Sequence, residues 1–70
     1  MQKIIDTVSG ILGVPVTENT AMEDVKGWDS MRTLQIVMAL DEAGLPIPIE
    51  RIAEIHSVAD VIRFAGQGNA

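Results

Sequence analysis

Cysteine is absent from the 70 residues. The chain therefore has no disulfide framework and no thiolate metal site, and its redox compartment cannot be read from cysteine usage. Aromatic side chains are nearly absent too: Trp28 and Phe64 are the whole complement, within a hydrophobic share of 47%. With a single histidine, His56, a metal site is not expected. Positive charge is scarce, five Lys and Arg against ten Asp and Glu for a net charge of -5. Lys3, Lys26, Arg32, Arg51 and Arg63 are scattered along the chain. Phosphate-backbone binding needs such charges clustered, so nucleic acid is not an expected partner. No run approaches the roughly 20 apolar residues of a membrane span, and Asp6 interrupts the stretch where a signal peptide would need an unbroken apolar core.

These absences describe a soluble, cytoplasmic, monomeric domain without a membrane partner. A chain this short buries only about 60% of the surface that its unfolded form exposes, which leaves little room for an enclosed active site. So high a hydrophobic content on so small a body leaves apolar surface outside, and such surface marks places where partners bind.

The apolar residues that are present follow helical spacing. Ile4, Ile5, Val8, Ile11 and Leu12 form one face of a first helix that Gly13 stops. From Pro15 to Gly27 no period is sustained, and the stretch reads as a loop of about thirteen residues pinned by Met22 and Val25. Loops that long are uncommon in compact domains and often functional. This one delivers the chain to "GWDSMRTLQIVMAL", residues 27–40.

A second helix is expected from Asp29 or Ser30 to Ala43, with one of those two residues as its N-cap and Gly44 as its stop. Leu34, Val37 and Leu40 lie in one apolar sector, which Ile36 and Met38 widen on either side. Arg32, Gln35, Ala39 and Glu42 form the remaining polar or small stripe. A helix apolar over so much of its circumference should be the central one. In "LPIPIERIAEI" two prolines forbid a continuous helix, and Ile49, Ile52 and Ile55 support a short third one with Pro48 near its first position. Ser57 with Asp60 resembles a capping box, and Val58, Val61, Ile62 and Ala65 supply the face of a last helix ending at Gly66. The tail "QGNA" should fray. The expected fold is all-α: a small four-helix bundle of three main helices and one short one, forming a single domain over residues 1–70.

Ser30 is the residue that carries chemistry or merely a cap. As a cap it would contribute about 1 kcal/mol. Its position, at the end of a long loop and the start of a helix, also turns its hydroxyl toward solvent, where another protein can modify it. A phosphate ester there would sit near the positive end of the helix dipole.

The order of "GWDSM", "LQIVMALDEA", "LPIPIERIAEI" and "SVADVIRFAG" resembles the phosphopantetheine carrier domains, the acyl and peptidyl carrier proteins, over nearly the whole chain. The resemblance implies a non-catalytic carrier whose Ser30 receives 4'-phosphopantetheine from coenzyme A through a phosphopantetheinyl transferase, with Mg2+. Asp29 matches the acidic residue that supports this transfer. The thiol of the arm would hold acyl, aminoacyl or polyketide intermediates as thioesters. Loading enzymes and downstream synthases, ligases or tailoring enzymes would be the further partners.

In that family the helix after the serine is the main docking surface, which makes Met31, Arg32, Gln35 and Met38 candidate partner contacts. Met31 and Met38 could equally be core filler. Trp28 is a candidate contact too, although packing against the loop is the expected role of its ring. Members that serve fatty-acid synthesis have a second helix rich in acids. Here only Asp41 and Glu42 are acidic, both late, and Arg32 follows the serine by two residues. That departure favours polyketide, nonribosomal-peptide or other specialised biosynthesis over fatty-acid biosynthesis. The initial Met1 and immediate first helix favour a free-standing protein.

Two rival readings remain at this point. A hydrolytic triad of Ser30, His56 and an Asp would need an oxyanion hole and a cleft that a bundle of this size hardly supplies, and His56 reads better as a boundary residue before the last helix. An unmodified acidic interaction module that docks partner helices accounts for the composition but leaves the long loop and its terminal Asp-Ser unexplained.

Overall fold

In the computed structural model, which describes residues 2–67, each apolar period becomes a helix. Helix α1 (Gln2–Leu12) buries Ile4 and Val8, and ends where Gly13 takes a φ of 76°. Helix α2 (Ser30–Glu42), the short α3 (Ile49–Ile52) and α4 (Val58–Phe64) follow. Helix α1 rests on α2 and α4, and α3 lies against α2. One core joins them, with Val8, Ile36, Leu40, Ile55, Val58 and Val61 shut off from water. The architecture is the expected all-helical bundle of three main helices and one short one. The fraying expected of the tail falls on residues 68–70, outside the described residues, except for Gln67, whose side-chain amide donates to the Arg63 carbonyl at 2.6 Å.

The ends of α2 explain its length. Asp29 begins it as N-cap, its carboxylate accepting the Arg32 N–H at 2.9 Å. At the other end the Leu45 N–H returns to the Leu40 carbonyl at 2.8 Å and the Gly44 N–H to Asp41 at 3.1 Å. This paired closure needs a left-handed residue, and Gly44 supplies it with a φ of 83°.

Three expectations need correction. The buried stripe of α2 is Thr33, Ile36, Val37 and Leu40, so Val37 and Leu40 lie inside as expected, but the buried face is turned by about 50° from the expected sector, taking in Thr33 and leaving Leu34 50% exposed. Thr33 displaces Leu34 because its hydroxyl is satisfied: it accepts from the Trp28 indole and donates to the Asp29 carbonyl. Ile49, expected on the inner face of α3, is 83% exposed, because α3 ends at Ile52 and it is Ile55, beyond that end, that enters the core. The capping box of α4 is half formed. Ser57 Oγ accepts the Asp60 N–H, but the Asp60 carboxylate reaches the N–H of His56 rather than that of Ser57.

The long loop is more ordered than its sequence implies. Val16 is buried, Met22–Asp24 form a 3-10 turn, and the Asp24 carboxylate closes that turn on the Ala21 N–H at 3.0 Å. Two backbone hydrogen bonds then tie the loop to the start of α4: the Met22 N–H to the His56 carbonyl at 2.7 Å, and the Val58 N–H to the Thr20 carbonyl at 2.9 Å. Met22 and Val25 add the expected side-chain anchors, both packed against the core.

Candidate functional site

The chain enters α2 through a chain of hydrogen bonds. The Trp28 indole Nε1–H donates to Thr33 Oγ1 at 2.8 Å, and that hydroxyl donates to the Asp29 carbonyl at 3.1 Å. The Thr33 N–H meets the same carbonyl at 3.0 Å. Trp28 is 5% exposed, so the packing role holds and the alternative role as a partner contact does not, since too little of its surface is left to grip. Hydropathy spacing does not mark Thr33 as a core residue. The available signal was its place four residues after Asp29, where a helical Thr can bond back to a carbonyl.

With Trp28 and Thr33 holding the turn and Asp29 closing the helix, Ser30 is left as the first helical residue rather than the cap. It is exposed, and among the described residues its hydroxyl enters no hydrogen bond. Only one Asp29 oxygen, Oδ1, is engaged by the cap. The Ser30 and Met31 N–H groups sit in the first turn, where no intrahelical carbonyl can reach them.

Beside Ser30 a cleft of about 500 Å3 opens between α2, α3 and the segment that joins α3 to α4. Its walls are apolar: Leu34 from α2, Ile49, Ile52 and Ala53 from α3 and its end, Met22 from the loop, and Ile55 at its base. The polar side chains among its lining are Ser30, Thr33 and His56. The sequence placed His56 at the boundary of α4 and that is where it lies, but its presence on the wall shared with Ser30 depends on the tie between the loop and α4.

The outer face of α2 carries Met31, Arg32, Gln35 and Met38, all exposed, with Arg32 Nη1 donating to Gln35 Oε1 at 3.1 Å. Met31 is 68% and Met38 62% exposed, which removes core filling as their role.

A family model described as the phosphopantetheine attachment site matches residues 2–65. The chain belongs to that family. Members of the phosphopantetheine attachment-site family are carriers rather than enzymes, and this chain is accordingly a non-catalytic carrier of covalently attached 4'-phosphopantetheine that works with a phosphopantetheinyl transferase and synthetic enzymes. No solved structure matches the chain significantly.

The residues present fit such a group. An unpartnered hydroxyl stands at a helix start whose free N–H groups and dipole favour the negative charge of a phosphodiester. The neighbouring cleft offers apolar walls to the methyl and methylene parts of an arm. When bound, the group supplies a thiol that can hold a cargo as a thioester. Among the described residues no helix is long and apolar enough to cross a membrane.

Proposed function

We propose that Ser30 is the attachment point of the arm, and that residues 1–70 form a single carrier domain presenting acyl, aminoacyl or polyketide thioesters to partner enzymes. The observation that carries this reading is the exposed, unpartnered Ser30 hydroxyl. Transfer of a phosphopantetheinyl group requires an oxygen that the transferase can bring in line with phosphorus, and a hydroxyl engaged as a cap would first have to be released. Asp29 would support the transfer: its Oδ1 holds the helix start, while Oδ2 makes no hydrogen bond among the described residues and would be free to help hold Mg2+ at the transferase.

Met31, Arg32, Gln35 and Met38 are the partner contacts in this reading. Their mixture of methionine sulfur and a single cation suits a partner surface that is largely apolar, because flexible thioethers adapt to several shapes. The acids Asp41 and Glu42 stand at the far end of α2. This distribution supports service in a polyketide, nonribosomal-peptide or other specialised pathway; a cytoplasmic location is part of the same proposal. Mass-spectrometric identification of the thioester formed in the native host tests the pathway.

Co-expression with a broad-specificity phosphopantetheinyl transferase tests the attachment point. Intact-protein mass should rise by one phosphopantetheine and should not rise in Ser30→Ala. Since Asp29 rather than Ser30 caps α2, that variant keeps its helical circular dichroism and changes stability by no more than about 0.5 kcal/mol. An adduct that persists in Ser30→Ala would sink the assignment, and a wild type that takes up no adduct would favour the unmodified interaction module.

A further inference from the structure

We infer that the His56 imidazole is the hydrogen-bond donor of the cleft that holds the phosphopantetheine arm once it is attached. The inference rests on Ser30 as the attachment point and adds a residue to it.

The cleft beside Ser30 has about 500 Å3 and mostly aliphatic walls. A phosphopantetheine arm is not aliphatic throughout. It carries a phosphodiester, a hydroxyl and two amides, so its oxygens must find donors or lose water at a cost. The polar side chains of the cleft are three. Ser30 has its oxygen esterified once the arm is present and can donate nothing. Thr33 has one hydroxyl proton, and it is committed to the Asp29 carbonyl. His56 remains.

The surroundings of His56 leave its ring available. Its N–H donates to Asp60 Oδ2 at 2.9 Å, and its carbonyl accepts the Met22 N–H at 2.7 Å. The backbone is thereby fixed from α4 on one side and from the loop on the other. The imidazole is exposed, and among the described residues neither ring nitrogen makes a hydrogen bond. Asp60, the nearby carboxylate, is occupied by the His56 backbone through Oδ2 and by Arg63 Nη2 through Oδ1 at 3.0 Å. In either neutral tautomer one ring nitrogen carries a proton, so the ring can donate to a phosphodiester or amide oxygen at all times. A fixed backbone with an uncommitted donor on an apolar wall is an arrangement suited to a guest that is part apolar and part acceptor.

The test uses holo protein, with loading first verified by intact mass, and compares the His56 ring nitrogen resonances of apo and holo forms at one pH. The ring signals should shift on loading, and cross-relaxation should connect the paired methyl groups of the arm to the Ile52 and Ile55 side chains. His56→Gln, which keeps a donor, should retain those cross-peaks. His56→Phe, which has none, should lose most of their intensity while the apo spectrum stays folded, because both backbone bonds at this position are independent of the side chain. Ring signals that coincide in apo and holo protein, or cross-peaks undiminished in His56→Phe, would overturn the role of His56 and leave Ser30 untouched. A wild type without adduct, or an adduct that remains in Ser30→Ala, would remove the attachment reading and this inference with it.

Discussion

Ile36 and Leu40 on one side of α2 are closed to water, whereas Met31 and Met38 on the other stand mostly in it. Met31 and Met38 are close to Ile36 and Leu40 in volume and are apolar like them, so the hydropathy of these four residues does not say which pair is core. The inner side is chosen by what packs on it: α1 and the Trp28–Thr33–Asp29 hydrogen bonds fix the rotation of the helix. Met31 and Met38 on the outer side stay mostly exposed among the described residues, and apolar side chains left in water on a small domain are a cost to solubility that a docking role would offset. Substitutions on the two sides should therefore separate stability from partner function.

The largest effect belongs to the inner side. Leu40→Ala removes a side chain with no exposed surface and should destabilise the domain by about 2–5 kcal/mol, read from the midpoint of urea unfolding. For a domain of this size the total is only on the order of 4–10 kcal/mol, so the variant will be close to unfolded at 37 °C. A loss under about 1 kcal/mol would mean that α2 is not the centre of the core.

Asp29 stands where the two sides meet, at the start of the helix, and its two oxygens allow its two roles to be separated. Asp29→Ala removes the cap and should cost about 1 kcal/mol. Asp29→Asn is an equally good cap and should leave the unfolding midpoint nearly unchanged. It nevertheless loses the charge proposed to assist Mg2+, so the transferase should load it more slowly than wild type. If Asn and wild type load at the same rate, Asp29 serves the helix alone.

Helix existence was legible in the sequence wherever apolar spacing persisted, and so were the ends of α1 and α2, because Gly13 and Gly44 can take a positive φ at little cost. What could not be read was rotation. Thr33 entered the core and Leu34 left it because an indole N–H and a backbone carbonyl, both brought in by tertiary contact, satisfied a hydroxyl that hydropathy counts as polar. Ser30 was recognisable from its place after the loop, but not its release from capping, since Ser and Asp are equally good at that position and only geometry decides between them. His56 on the wall of the cleft was beyond reach for another reason. It arrives there through backbone hydrogen bonds between segments more than thirty residues apart, and such pairings leave no trace in local pattern.

The smallest effect on stability, and the sharpest on the comparison, is expected at Met31. Its side chain is 68% exposed and borders Ser30, so Met31→Gln should change stability by no more than about 0.5 kcal/mol. If the outer side is a docking face, the same change should lower kcat/KM for transfer by roughly fivefold, the equivalent of about 1 kcal/mol of lost transition-state stabilisation. Unaltered transfer with unaltered stability would show that this methionine only borders the serine. A drop in stability comparable to Leu40→Ala would remove the distinction between the two sides, since a residue that holds the fold together cannot be reserved for partners.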